Sequence, residues 1–449
     1  MTSASESSPF RLELAATLRL AGPLALANLL QMAVFATDVM FVARLGQQAL
    51  AASSLAVAII AVLMMGLNGV TSACAPLIAA ELGRRSNSVR EVRRTTRMAL
   101  WLAVGLGVAG VVLCQFSTEF MLATGQEPQL ARQGGSFLAL LSVAMVPMAV
   151  ANVLRTFVSA LGRPVFATAI TAASILVNIV GDYALVFGHF GMPALGLTGA
   201  ALASIITASS TVVAYVAAIA WDRNLRRFHI FGRWWRTEWQ RMNQMLMLGL
   251  PISGTLIAEG GLFSGAAFVM GRVGEAQLAA HTIALQIGAF AFQVPFGIGQ
   301  AATIRVGYHY GSGNREGVGH AGWAAILIGM MFMSVSAVAL LVAPRLILSA
   351  YIDVSAPANA AMVGYALSYL FVCAIFQLSD GLQAVAAGVL RGIQDTRVPM
   401  MIALFGSWLL WGRRDAIGRS ALMAAMALIF VAFFSPLCDL TTALFSARV

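Results

Sequence analysis

Long apolar runs recur from one end of this 449-residue chain to the other, and they restrict the fold more than any other feature. They fall near residues 17–42, 49–80, 96–117, 134–156, 164–187 and 195–221, then near 245–270, 277–308, 321–347, 359–390, 398–412 and 420–438. A helix rises ~1.5 Å per residue, so about 20 apolar residues cross the ~30 Å hydrocarbon layer. Most of these runs are long enough. None alternates with period two, which excludes a membrane β-barrel. With 59% hydrophobic and 10% charged residues, the chain has too little polar surface for a soluble protein of its size. The expected fold is an all-α integral membrane protein of twelve helices in two pseudo-symmetric six-helix lobes, with the last two spans irregular.

The net charge of +10 first suggests nucleic acid, but the arginines cluster in short loops between spans. Arg84, Arg85, Arg90, Arg93, Arg94 and Arg97 follow the second span, and Arg223, Arg226, Arg227, Arg233, Arg236 and Arg241 follow the sixth. Connections 43–48, 118–133 and 188–194 carry at most one arginine each. Positive loops stay on the cytoplasmic side, so both termini are expected there, with no nucleic-acid partner. The N-terminal segment reads as a first membrane helix that is retained, not as a cleaved signal. Cys74, Cys114, Cys373 and Cys438 all lie in apolar stretches and offer neither a disulfide framework nor a metal spacing.

An internal repeat appears when 228 is added to the residue number. Pro23, Phe35, Arg44, Gly46, Gly69 and Gly83 fall on Pro251, Phe263, Arg272, Gly274, Gly297 and Gly311, and Gln31 falls on Glu259. Six spans return the chain to the same side, so the halves are related in parallel. The expected organisation is an N-terminal lobe over 1–221, a basic cytoplasmic linker over 222–244 and a C-terminal lobe over 245–449.

Polar groups inside the spans narrow the function. Glu259 lies roughly 20 Å into an apolar run, too deep for its short side chain to reach water. Such an acid either packs helices by hydrogen bonding or forms a functional site. Gln377, Asp380 and Gln383 share one face of the tenth span, which makes Asp380 the natural partner of Glu259. Two nearby carboxylates in low dielectric must share a proton or bind a cation. Phe292 and Phe376 offer aromatic faces for a lipophilic cation, although each singly is a packing residue by default. In the N-terminal half, Asn28, Gln31 and Asp38 recur at helical spacing. Thr171, Ser174, Asn178 and Asp182 form an i, i+4 stripe that is either helix glue or, facing Asp38, an oxygen-rich cation or proton site. Asp38 itself is otherwise an interfacial acid near Arg44. Arg305 is expected to snorkel towards the loop at His309, and His281 to sit at the membrane interface. No metal motif, nucleophile triad or phosphate loop is present, so an enzyme is not expected.

The segments LAGPLALANLLQMAVFATDVMFVARLG, NIVGDYALVFG, LGLPISGTLIAEGGLFSGAAFVMGRVG, LAAHTIALQI and LSDGLQAVAAGVLRGIQDTRVP together resemble the multidrug and toxic compound extrusion (MATE) family, in its NorM-like bacterial branch. The resemblance covers about 15–405. It implies a monomeric multi-pass protein of the bacterial inner membrane whose lobes flank a cleft. It also implies Na+- or H+-driven export of small organic cations, with no cofactor beyond the coupling ion. By position, Glu259 and Asp380 match the C-lobe coupling site and any Na+ ligands, and Asp38, Asn178, Asp182 and Ser204 match the N-lobe site. Gln31, Phe292, Phe376 and Gln377 are expected to line the substrate cleft. Phe376 stands where the family usually has a tyrosine, which removes a hydroxyl ligand. The alternatives are a lipid-linked sugar flippase of the same superfamily, or a transport-inactive variant. The latter follows from the end of the chain, where Arg413, Arg414 and Arg419 interrupt the last spans. Residues from about 407 read as frame-shifted or degenerate.

Overall fold

The computed structural model describes residues 9–85, 88–232 and 237–412, and all regular structure among them is helical. The elements are α1 (Pro9–Ala43), α2 (Gln47–Ser72), α3 (Cys74–Arg84), α4 (Val89–Cys114), α5 (Ser117–Ala123), α6 (Pro128–Leu141), α7 (Met145–Ala160) and α8 (Pro164–Phe187). They continue with α9 (Leu197–Trp221), α10 (Arg223–Arg226), α11 (Trp239–Val273), α12 (Glu275–Gly311), α13 (Arg315–Val342), α14 (Pro344–Leu348), α15 (Ala360–Gly392) and α16 (Arg397–Gly412). Ten spans among the described residues are long and apolar enough to cross a membrane. Large apolar side chains such as Phe35, Val213, Met331 and Val335 are half or more exposed on them. A bilayer explains that distribution, because lipid tails solvate what water would not. The protein is therefore a multi-pass membrane protein. The sixteen-residue α16 carries the eleventh expected span. The twelfth, and most of the segment read as frame-shifted, lie outside the described residues.

The chain packs as two compact units. One runs Leu26–Ser253, and the other joins the residues up to Ala25 to those from Gly254 onward. The boundaries fall inside α1 and α11, two 35-residue helices, and they fall at repeat-equivalent positions. Each lies two residues past an internal proline, Pro23 in α1 and Pro251 in α11. Proline removes one N–H and crowds the carbonyl four residues back, so the helical ladder is weakest there.

The repeat persists in the elements, with α4 corresponding to α13, α6 and α7 to α15, and α8 to α16. Where the halves differ, prolines account for part of it. The second span breaks at Ala73, ahead of Pro76, while its counterpart α12 is continuous with Ile304 at that position. Likewise a 3-10 turn over Ser142–Ala144 precedes Pro147, whereas α15 runs unbroken with Ile375 there. Pro295 lies inside α12 without ending it, so proline alone does not dictate a break. Gly46 (φ 105) and Gly274 (φ 159), repeat mates, turn the chain into α2 and α12.

In the unit 26–253 the segment after α9 is built rather than trailing. Asp222 caps α10 by accepting from the Asn224 and Leu225 amides. Leu225, Phe228 and Ile230 are buried, with Phe228 edge-on to Phe157 of α7 at 5.8 Å. In the other unit, α12 and α15 touch almost backbone to backbone. A methyl group at Gly388 would run into the Gly299 carbonyl, and one at Gly299 would lie 2.6 Å from the Ala384 oxygen. The Thr303 hydroxyl is shared between the Gly299 and Gly388 carbonyls, at 3.0 and 2.8 Å. Gly388→Ala is expected to cost about 1–3 kcal/mol by overpacking. A lower unfolding temperature in detergent checks it; an unchanged temperature would mean the two helices can part freely.

Candidate functional site

Both half-chains carry a polar cluster, on the first, fourth and fifth spans in one and on the repeats of the first and fourth in the other. In the unit 26–253 the stripe on α8 turns inward: Thr171, Ser174, Asn178 and Asp182 are all buried. Its first half satisfies itself. The Thr171 hydroxyl donates to the Ala167 carbonyl at 2.8 Å and the Ser174 hydroxyl to Thr171 at 2.7 Å. Its second half meets α1. The Asn178 amide donates to Asp38 at 2.7 Å, and Thr37 donates to the Asn178 carbonyl oxygen at 2.8 Å. Asp182 is 0% exposed, and neither of its carboxyl oxygens has a hydrogen-bond donor, while its neighbour is the carboxyl of Asp38. Two carboxyls so placed cannot both be ionised without a counter-charge.

Ser204, on α9, makes no hydrogen bond to this cluster, and Thr37 occupies the hydroxyl position instead. Gln31 is half-buried on α1. A connection that the sequence does not announce is Arg155 on α7, whose guanidinium donates to Asn28 of α1 at 2.5 Å. Nothing in the periodicity relates Arg155 to Asn28, because the two stand on different spans and meet only in the packed bundle.

In the other unit, Glu259 of α11 accepts a 2.7 Å hydrogen bond from the side-chain amide of Gln383 on α15. Asp380, one turn earlier on α15, lies within electrostatic reach of Glu259, as does Arg391 further along the same helix. Glu259 thus has one acid and one base within electrostatic reach. Phe376 packs edge-on against Phe263 of α11 at 6.4 Å, and Phe292 stacks on Phe296 at 5.9 Å. Gln377 is only 2% exposed and accepts from Ser336 of α13 at 3.3 Å, which places it between helices α13 and α15. Two other residues acquire partners that their spans do not announce. His281 is buried at 6% exposure, edge-on to Tyr369, because α15 covers the start of α12. Arg305 reaches the level of His309, where both are bound by Glu13 of α1, Arg305 at 3.1 and 2.5 Å.

The repeat relates the two clusters. Glu259, Asp380 and Gln383 stand 228 positions after Gln31, Asn152 and Arg155. In each unit the fourth-span element donates to the first-span element, Arg155 to Asn28 and Gln383 to Glu259. The duplicated scaffold therefore keeps three positions and changes their charge, with two acids and an amide in one copy and two amides and a guanidinium in the other. Among the described residues no group of three or more His, Cys, Asp or Glu could hold a metal ion.

Comparison with known proteins supports the duplicated all-helical architecture. The MatE family model matches residues 23–184 and 251–411, one copy per half. A probable multidrug resistance protein NorM from Mesorhizobium japonicum is 44% identical over 400 residues, covering 89% of this chain and 85% of that protein. A multidrug resistance protein NorM from Burkholderia vietnamiensis is 36% identical over 393 residues, covering 87% and 84%. Among solved structures, a MATE protein in complex with MaL6 superposes with a TM-score of 0.86 at 18% identity, over 98% of this chain and 99% of that one. An outward-facing multidrug resistance MATE transporter of the MOP superfamily gives 0.84 at 18%, over 99% of each.

Proposed function

From the premise that the chain belongs to the MatE family, we propose that it is a secondary antiporter that exports cationic, amphipathic compounds in exchange for Na+ or H+. The observation that carries this reading is the pairing of Glu259 with Asp380 in an apolar surround. Glu259 is held by a neutral amide rather than by a full counter-ion at hydrogen-bonding distance. Such a pair is satisfied by a proton, by Na+ or by an organic cation, and it cannot be satisfied by two of them at once. Competition for one negative charge is the coupling. Asp38 and Asp182, with Asn178 and Thr37 as ligands, form a second exchangeable site in the other unit.

The basic loops face the cytoplasm, with both ends of the chain on that side. A flippase for pyrophosphate-linked sugars would call for several inward cations. Here the buried spans present Asp38, Asp182, Glu259 and Asp380 against Arg155 and Arg391. The test is uptake of a fluorescent organic cation into proteoliposomes, driven separately by a Na+ gradient and by a pH gradient. Accumulation collapsing with one of the two gradients is expected. No accumulation under either gradient would sink the proposal.

A further inference from the structure

At the basic ends of α1 and α11 the structure holds two ion-pair clusters that the coupling sites do not use. In the first, Glu13 of α1 is gripped by Arg305 through two hydrogen bonds and by His309 at 2.8 Å, both residues lying on α12. In the second, Arg241 of α11 binds Glu81 of α3 at 3.2 Å and Glu91 of α4 at 2.8 Å. Arg94 and Arg97 of α4 both bind Glu238, just before α11, at 3.0 Å. Glu13, His309 and Glu81 are shielded, at 13%, 12% and 9% exposed, and their partners Arg305, Arg241 and Glu91 are partly so, at 23%, 23% and 29%.

The two clusters are repeat mates with charge reversed. Glu13 stands 228 positions before Arg241, and Glu81 stands 228 before His309. In one copy the helix end is acidic and its holder basic; in the other the signs are exchanged. Both clusters bind the first turns of a helix that is divided between the two compact units just past a proline. In each case the first turns are held by elements of the opposite sequence half, α12 for α1 and α3 with α4 for α11. A surface ion pair would contribute little, but these are multidentate and shielded, so they favour one packing of the helix end over any other. The reversal of sign adds specificity, because Glu13 could not be held by Glu81, nor Arg241 by Arg305.

We propose that Glu13–Arg305–His309 and Arg241–Glu81–Glu91 are paired clasps. Each holds the first turns of a proline-interrupted helix to the opposite half, and each opens and closes during every transport cycle. The residues are positioning residues for the conformational step and touch neither ion nor substrate. The proposal rests on the antiport reading above, and it is tested so that the two can fail separately.

The four native cysteines are replaced by alanine, and Glu13→Cys with His309→Cys is introduced on one clasp. Arg241→Cys with Glu81→Cys forms the parallel pair on the other, which serves if the first does not fold. A short, reducible bifunctional thiol reagent is applied to protein in proteoliposomes. Cross-linking is expected to cut cation transport at least tenfold, with recovery on reduction. Undiminished transport by fully cross-linked protein would overturn the clasp while leaving the antiport reading intact. If no organic cation is transported even without cross-linking, the antiport reading fails, and spin labels at the same two positions decide the clasp. Two distance populations are then expected in liposomes, and a single clasped population under every ion condition overturns it.

Discussion

Glu259→Gln is expected to leave a folded, membrane-inserted protein that has lost gradient-driven transport. Glutamine keeps the volume of the side chain, and its carbonyl oxygen can still accept the amide of Gln383, which is 2.7 Å from the carboxylate in the native protein. What disappears is the charge that, on the proposed antiport reading, attracts a cation or takes a proton. Removing one member of a shielded charge constellation costs about 2–5 kcal/mol of coupling, so the transport rate should fall at least roughly thirtyfold. Asp380 would lose the neighbouring carboxylate, and Arg391 the acid it faces. Initial rates in proteoliposomes, normalised to inserted protein, check the loss. Unfolding temperatures of purified wild type and variant check the fold. Wild-type rates for the variant would remove Glu259 from the mechanism.

Much of this site is legible in the order of the amino acids alone. An acid in the middle of an apolar run is costly enough to mark itself, and the repeat offset that fits Pro23 to Pro251 also fits Gln31 to Glu259. The i, i+4 stripe from Thr171 to Asp182 marks the inward face of α8, which the structure buries. What periodicity cannot give is which neighbour each face meets. Asn178 could be glue; only its contact with Asp38 across 140 residues separates the two roles. Thr37 escapes notice because a hydroxyl in a helix bonds its own backbone by default, as Thr37 also does to Val34. Arg155 and Gln383 are obscure for a related reason. Each is a donor whose meaning depends on an acceptor in another span, Asn28 or Glu259. The division of α1 and α11 between two units is equally invisible to hydropathy, since the lipid-facing pattern of a helix is the same whichever bundle it joins. Arg305 reads as a snorkelling charge in the sequence for that reason, and its bond to Glu13 emerges only when the first turns of α1 are seen beside α12.

Asp182→Asn is expected to separate stability from function in the unit 26–253. Both Asp182 oxygens are buried without a donor, beside a carboxyl already bound by Asn178. That arrangement is costly unless a proton or cation bridges the two acids, because a buried unpaired polar group loses its hydration and gains nothing in return. The amide of an introduced asparagine supplies the missing N–H to Asp38 permanently. The folded state should therefore be at least as stable as wild type, with an unfolding temperature unchanged or raised by about 2 °C. The bridge would no longer be exchangeable. If the Asp38–Asp182 pair takes up and releases an ion in each cycle, transport should fall about tenfold or more while stability holds, the pattern expected where function depends on a destabilised site. The same variant should lose any dependence of thermal stability on Na+ or on pH that arises at this pair, whereas Glu259→Gln should keep it, since the two clusters lie in different units. Thermal unfolding across pH and Na+ for both variants measures this directly. Loss of stability with transport retained would show that Asp182 is structural, and that the second exchangeable site does not exist.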